Sequence, residues 1–291
     1  MAGIDINRTT AGVLLPAAVS GEIWATTQET SAVMQLARQV QLPGSGVTVQ
    51  TITGEPTAEW VAETAAKPVS RHTLGSKTMR PYKLAVIEPF SNEFRRDLPA
   101  LYAELVRRLP NALARRFDAT VFHGTAPGSD FDVLTAAPAV GITGNTWAGL
   151  IAADAAVSAA GGMLTGWALA PQARSILLGE TDTTGRPLFV NSMTADGAVP
   201  QLLGAPVQMT KAVYLDAATD VLGFAGDWSQ ASYGTVEGVQ VSISDQATLD
   251  DAGTPLHLWQ RNMFAVRAEI EVGFRVRDAA SFVRLTAAAQ A

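Results

Sequence analysis

"EWVAETAAKPVSRHTLGSKTMRPYKLAVIE" spans residues 59–88, and the fold turns on how it is read. It has strand-like ends, holds Pro68 and Pro81, and carries five basic residues, Lys67, Arg71, Lys77, Arg80 and Lys83. No face of it is continuously apolar, so it has little to bury in its own core. An alternating segment, "VTVQTIT" (47–53), precedes it and another, "YKLAVIE" (82–88), closes it, and the two read as the arms of a long hairpin. A structureless insertion of this length is uncommon in a compact domain, and is usually functional where it occurs.

Outward from the hairpin, "SNEFRRDLPALYAELVRRLPNALARRFDATVFHG" (91–124) follows at once. Phe94, Leu98, Leu101, Leu105, Leu109, Leu113 and Phe117 recur every three or four residues, the apolar stripe of a long amphipathic helix. Arg96, Arg107, Arg108 and Arg115 fall on its opposite side. Asp97 suits an N-cap, Pro99 the first turn and Gly124 a stop. Interior Pro110 removes a helical hydrogen bond, which predicts a kink or two helices end to end.

Residues 146–226 read as an α/β unit. An alanine-rich helix (146–162) is followed by strand "GWALA" (166–170), helix "PQARSILLG" (171–179), and strands "LLGAPVQMT" (202–210) and "DVLGFAGDW" (220–228). The last third is β: "GVQVSIS" (238–244), then "FAVRAEIEVGFRV" (264–276). In the latter, Phe264, Val266, Ala268, Ile270, Val272, Phe274 and Val276 share one face; Arg267, Glu269, Glu271 and Arg275 share the other. At about 3.4 Å per residue this strand reaches roughly 40 Å, far beyond the usual five or six residues. Such a strand with one wet face belongs to an elongated molecule.

The 291 residues can bury a sizeable core, and 47% apolar with 16% charged is a globular profile. A net charge of −6 argues against a dedicated nucleic-acid reader. The charge is uneven: residues 91–118 hold six arginines against four acids, and 140–226 hold three basic residues against six acids. Without cysteine there is no disulfide, thiolate metal site or thiol nucleophile. The stretch 11–24 lacks the charge pattern and length of a secretion signal, so the Asn7 sequon carries no weight. No apolar run reaches the roughly 18 residues of a membrane span, and a soluble chain with no membrane partner is expected.

Phosphate loops, dinucleotide fingerprints, zinc-protease helices and nucleophile elbows are all missing from the sequence. His72, His123 and His257 share no metal-ligand spacing, and the acidic clusters at 129–132, 180–185 and 245–253 read as turns. Hence no catalytic residue, cofactor or metal is expected, and an enzyme is not.

The order of pieces resembles the major capsid proteins of tailed bacteriophages, the Hong Kong 97 type of fold. "SAVMQLARQV" and "VTVQTITGEPTAEWVAETAAKP" resemble the end of that family's arm and the outgoing strand of its extended loop. "KLAVIEPFSNEFRRD" resembles the returning strand entering the spine helix, and "FDATVFHG" that helix's end. "FAGDWSQASYG" and "LWQRNMFAVRAEIEVGFRVRDAASFVRL" resemble the return into the peripheral domain. The similarity runs through nearly the whole chain.

The resemblance implies an α+β fold with an N-terminal arm (1–46), an extended β-hairpin loop (47–90), a peripheral domain with the spine helix (91–139 and 227–291) and an α/β axial domain (140–226). It implies a subunit that assembles into hexamers and pentamers of an icosahedral head around double-stranded DNA. Its hairpin reaches over a neighbour, so that obligate interfaces of several thousand Å² are expected. Trp60, Glu63, Lys67, Arg71, Lys77 and Arg80 are then the inter-subunit contacts, and Arg96, Arg107, Arg108 and Arg115 are candidates to face packaged DNA. Partners are a scaffolding protein, expected to be separately encoded because the arm-like sequence starts close to Met1, with a portal protein, a decoration protein and nonspecific DNA. The location is the virion, assembled in the bacterial host cytoplasm. A bacterial encapsulin-type compartment shell shares the fold and is the alternative. Some relatives join a hairpin lysine to a neighbour's asparagine with a glutamate as base. Lys67 or Lys77 with Asn262 and Glu269 have that pattern, but Glu269 is expected to pair with Arg267 or Arg275. The expectation is one band near 30.5 kDa on a denaturing gel.

Overall fold

The computed structural model describes residues 31–54, 57–63, 66, 67, 69–71, 73–97, 99–181, 201–237 and 239–289. The arm is thus described from Ser31 onward, and Asn7 and residues 11–24 lie outside. Helix α1 (Ala32–Leu36) leads to strand β1 (Arg38–Gln41). Ser31 caps α1, its Oγ accepting from the Met34 amide at 3.1 Å and donating to Asp118. Asp118 is buried and also accepts the Ala32 amide at 2.8 Å, so the end of the arm is fastened to the long helix.

Strand β2 (Val47–Gly54) pairs antiparallel with β3 (Thr73–Met79), and β4 (Tyr82–Ser91) follows. This corrects the predicted hairpin. Its returning arm is β3, whereas 82–91 lies along another strand. Pro81, which has no N–H to donate, sits at the junction where the chain changes sheets.

Two helices follow, α2 (Asn92–Asp97) and α3 (Pro99–Phe122). The division falls before Pro99, and α3 continues past Pro110, where sequence predicted the interruption. Asp97 closes α2, and Pro99 takes the first position of α3, where its missing N–H costs nothing. Leu109, Leu113, Phe117 and Val121 of α3 are buried at four-residue spacing; the side chains of Leu98, Leu101 and Leu105 lie outside the described residues.

The stripe packs on β14 (Met263–Val276), the long strand predicted from its alternation. Every apolar residue assigned to its inner face is buried. Phe117 meets Phe274 edge-on at 6.5 Å, and Phe90 stacks on Phe264 at 5.7 Å. One edge of β14 is lined by β4 from residue 263 to 272. Along the other run β10 (Ala231–Thr235) and β11 (Gln240–Ser244), with β1 parallel to β10 beyond. A small hairpin, β12 (Thr248–Asp251) and β13 (Thr254–His257), projects from this sheet.

A second core lies within a six-stranded sheet of order β5-β15-β9-β6-β8-β7. Its strands are β5 (Ala139–Thr143), β6 (Gly166–Leu169), β7 (Gln201–Leu202), β8 (Ala205–Met209), β9 (Val221–Gly226) and β15 (Phe282–Ala289). Helices α4 (Thr146–Ala159) and α5 (Pro171–Gly179) contribute buried Leu150, Ala153, Val157, Ala173 and Leu177. Asn145 caps α4, and Pro171 opens α5. The indole N–H groups of buried Trp167 and Trp228 donate to Leu202 O at 2.9 Å and Gly166 O at 3.0 Å. Strand β15 belongs to the 227–291 segment, yet it pairs parallel with β5 and antiparallel with β9. The fold is mixed α+β.

Candidate functional site: the hairpin and its root

The hairpin is anchored at one end and bare at the other. At the root, Gly234 of β10 and Gly273 of β14 are cross-strand partners. A Cβ on Gly273 would stand 2.7 Å from Arg80 O, and one on Gly234 would stand 2.4 Å from Leu42 Cγ. The missing side chains form a notch that admits Met79 and Leu42, which are 1% and 2% exposed. The outer face of β14, predicted to be wet along its length, is therefore covered by the hairpin root at its C-terminal end.

Charge completes the anchor. Arg275, on that outer face, donates from Nη1 to Asp132 at 2.8 Å, from Nη2 to Asp130 at 3.0 Å and from Nε to Thr78 O at 2.7 Å. Lys77 Nζ donates to Val276 O at 2.6 Å and lies 3.7 Å from Asp132. Arg80 Nε lies 3.3 Å from Asp130. Asp132 also accepts the Val276 amide at 3.0 Å, and Tyr82 Oη accepts the Asp130 amide at 3.3 Å. Two carboxylates from the loop after α3 thus hold three cations from β3, β14 and the turn between β3 and β4. The Arg275 side chain is only 14% exposed, so its bonds are shielded from water and are stronger than the pairs made by the more exposed Lys77 and Arg80. The acidic cluster at 129–132, expected to be only a turn, has this role. The only signal was two aspartates two residues apart.

So Lys77 and Arg80, expected at a neighbour, are engaged within their own subunit. The tip is different. Trp60 is 106% exposed and Val69 85%, with Glu63, Lys67 and Arg71 also exposed. The Thr57 amide donates to Ser70 Oγ at 2.9 Å, holding the two sides of the tip together. Full exposure of a tryptophan forgoes about 1.5–3 kcal/mol available from burial.

The remaining residues are dispersed. Asn262 adopts a left-handed backbone (φ 54°) and accepts from Asn92 Nδ2 at 2.9 Å. Glu269 lies 3.5 Å from Arg267. Together with Glu237 and Glu271 it lines a cavity of about 220 Å³ beside Lys83. Arg96 and Arg115 are exposed and Arg108 is half-buried, each with an interaction inside the chain; the side chain of Arg107 lies outside the described residues. Among the described residues no group of three His, Asp or Glu could hold a metal ion. No described helix is long and apolar enough to cross a membrane.

The hairpin is thus anchored at its root and exposed at its tip, and comparison with known proteins identifies the class. The model of the phage capsid family matches residues 11–287. The chain belongs to the phage capsid family. Two relatives described as probable major capsid proteins, from Mycobacterium phages L5 and D29, are 33% and 31% identical over 284 and 280 residues. Those alignments cover 91% of this chain and 86% and 87% of the relatives. A solved chain of Gordonia phage Cozz is similar with a TM-score of 0.76 at 26% identity, covering 95% of this chain and 92% of that one. A phage capsid protein is a structural component of the virion shell, which places the exposed hairpin tip in a protein built to assemble.

Proposed function

We propose that this chain is the major capsid protein of a phage head, with the Hong Kong 97 arrangement of arm, extended loop, spine helix, peripheral domain and axial domain. It assembles in the host cytoplasm into hexamers and pentamers of an icosahedral shell around double-stranded DNA. The axial domain is the unit of the six-stranded sheet and includes β15, and the peripheral domain is the unit of β14 and α3. The observation that carries the reading is the hairpin, held at its root by Asp130, Asp132 and the glycine notch while its tip leaves Trp60 bare. Rigidity at one end and exposed apolar surface at the other suit a contact whose burial comes from a neighbouring subunit.

The neighbour's share is the surface around Glu237, Glu269 and Glu271, three carboxylates that border one cavity together with Lys83, which pairs with Glu271 at 3.2 Å. Lys67 and Arg71 provide the opposite charge and Trp60 the apolar area. Lys77 and Arg80 are left as root residues. Lys77 is occupied by Val276 O and Asp132, so an amine for cross-linking would have to come from Lys67. The relatives are described as phage capsid proteins, which favours the head over a bacterial compartment.

Replacement of residues 57–71 by a short Gly-Ser turn tests the proposal. The expected product is a folded subunit with native circular dichroism that sediments as an unassembled species. Normal particles from that variant would refute the hairpin's role.

A further inference from the structure

A cleft of about 450 Å³ opens where the last turns of α3 meet the 3-10 turn Lys211–Val213. Arg115 and Arg116 line one side, Lys211 the other, with His123 and Tyr214 between. The His123 ring Nε2 donates to Val213 O, fixing the two sides to each other. Among the described lining residues there is no carboxylate. In a chain of net charge −6, a concavity with three cations and no acid is exceptional. Its floor is small and unobstructed, formed by Ala119, Gly124 and Ala212. Arg115 and Lys211 each also make an interaction inside the chain. Behind Tyr214, Asp220 accepts from its Oη at 3.1 Å, and the charges of Asp220 and Asp216 both act on that ring, outside the lining itself.

We infer that this cleft binds phosphate groups. Arginine offers a planar fork matched to phosphate oxygens, and lysine adds a mobile point charge. Nothing in the lining reads bases, so the binding is independent of sequence. The phosphodiester backbone of packaged DNA is one source and free phosphate the other. The first source rests on the reading of the chain as a head-shell subunit. It moves the DNA contact from the helix arginines as a group to Arg115, Arg116 and Lys211.

The test uses the full chain kept below its assembly concentration. Two fluorescent 16-base-pair duplexes of unrelated sequence are titrated in anisotropy, and inorganic phosphate is titrated by thermal shift. With three cations engaged, the logarithm of the duplex association constant should fall with a slope of about −2.7 against the logarithm of salt. Arg116→Gln with Lys211→Gln should lower duplex affinity roughly tenfold or more per charge at 0.1 M salt and flatten the slope by about 2. Arg116→Lys with Lys211→Arg should keep most of both, which separates charge loss from misfolding. Equal binding of both duplexes, lost in the double Gln variant, supports the cleft with nucleic acid as source. A phosphate-induced stabilisation lost in that variant without duplex binding supports the cleft with free phosphate as source. Binding of neither probe, or binding unchanged by the double Gln variant, overturns the proposal. Because the readout is the unassembled subunit, its failure is distinct from a failure to form shells.

Discussion

Arg275 shows at the scale of one residue why position outweighs charge count. Alternation put it on the outer face of β14 and allowed Arg267, Glu269 and Glu271 beside it. What sequence could not show is that Asp130 and Asp132 return to that face from a loop more than 140 positions away. Arg275→Met should destabilise the unassembled subunit by about 2–3 kcal/mol, since two part-buried carboxylates lose their best donor. Thermal unfolding reads this as a fall in Tm of several degrees. Arg275→Lys should recover little, because an ammonium cannot reach both carboxylates and Thr78 O together. Recovery to wild-type stability would mean the contact is mere charge.

His123 makes the corresponding pH argument. Burial lowers its pKa from the ordinary 6.5, more than the bond to Val213 O raises it, and the Arg284 charge lowers it further. The folded protein therefore binds fewer protons at this ring than the unfolded chain does. Its contribution to stability is present above pH 6.5 and is lost as pH falls through the folded pKa. Glu88 acts oppositely: burial raises its pKa, so its protonation on acidification favours the folded state. His123→Gln should flatten the loss of stability between neutral pH and about pH 5 while Glu88 continues to act. An unchanged pH profile in that variant would remove His123 from the account.

At the scale of elements, legibility followed periodicity. The long strand β14 was readable because every second residue from Phe264 to Val276 is apolar and buried. The α3 stripe was readable for the same reason at a period of four. The returning arm of the hairpin was not. "TLGSKTM" holds a glycine and a lysine where an alternating strand would carry apolar residues, and its partner is β2 rather than a core strand. Buried Met79 depends on the Gly234–Gly273 notch, a long-range fit that no local pattern encodes. Gly273→Ala should cost about 1–3 kcal/mol, because its Cβ meets Arg80 backbone oxygen at 2.7 Å and the hairpin root must move. Limited proteolysis should then cut faster between residues 54 and 73 than in the wild type. Equal rates would show that the root is not seated in the notch.

At the scale of the molecule, the fold makes sense only with neighbours. The described residues between 57 and 71 belong to neither core, and edge strand β11 exposes Val241 and Ile243. The sequence carried the family through segment order across nearly the whole chain. It did not carry the seating of the hairpin, which arises from contacts between distant segments. On this reading, another copy of the chain buries the tip. A cryo-electron reconstruction of the purified particle tests it most directly. The expected map is a closed shell of pentamers and hexamers in which each root stays on Asp130 and Asp132 of its own subunit while Trp60 is buried against the next. A tip folded back on its own subunit, or a discrete small oligomer in place of a shell, would contradict it.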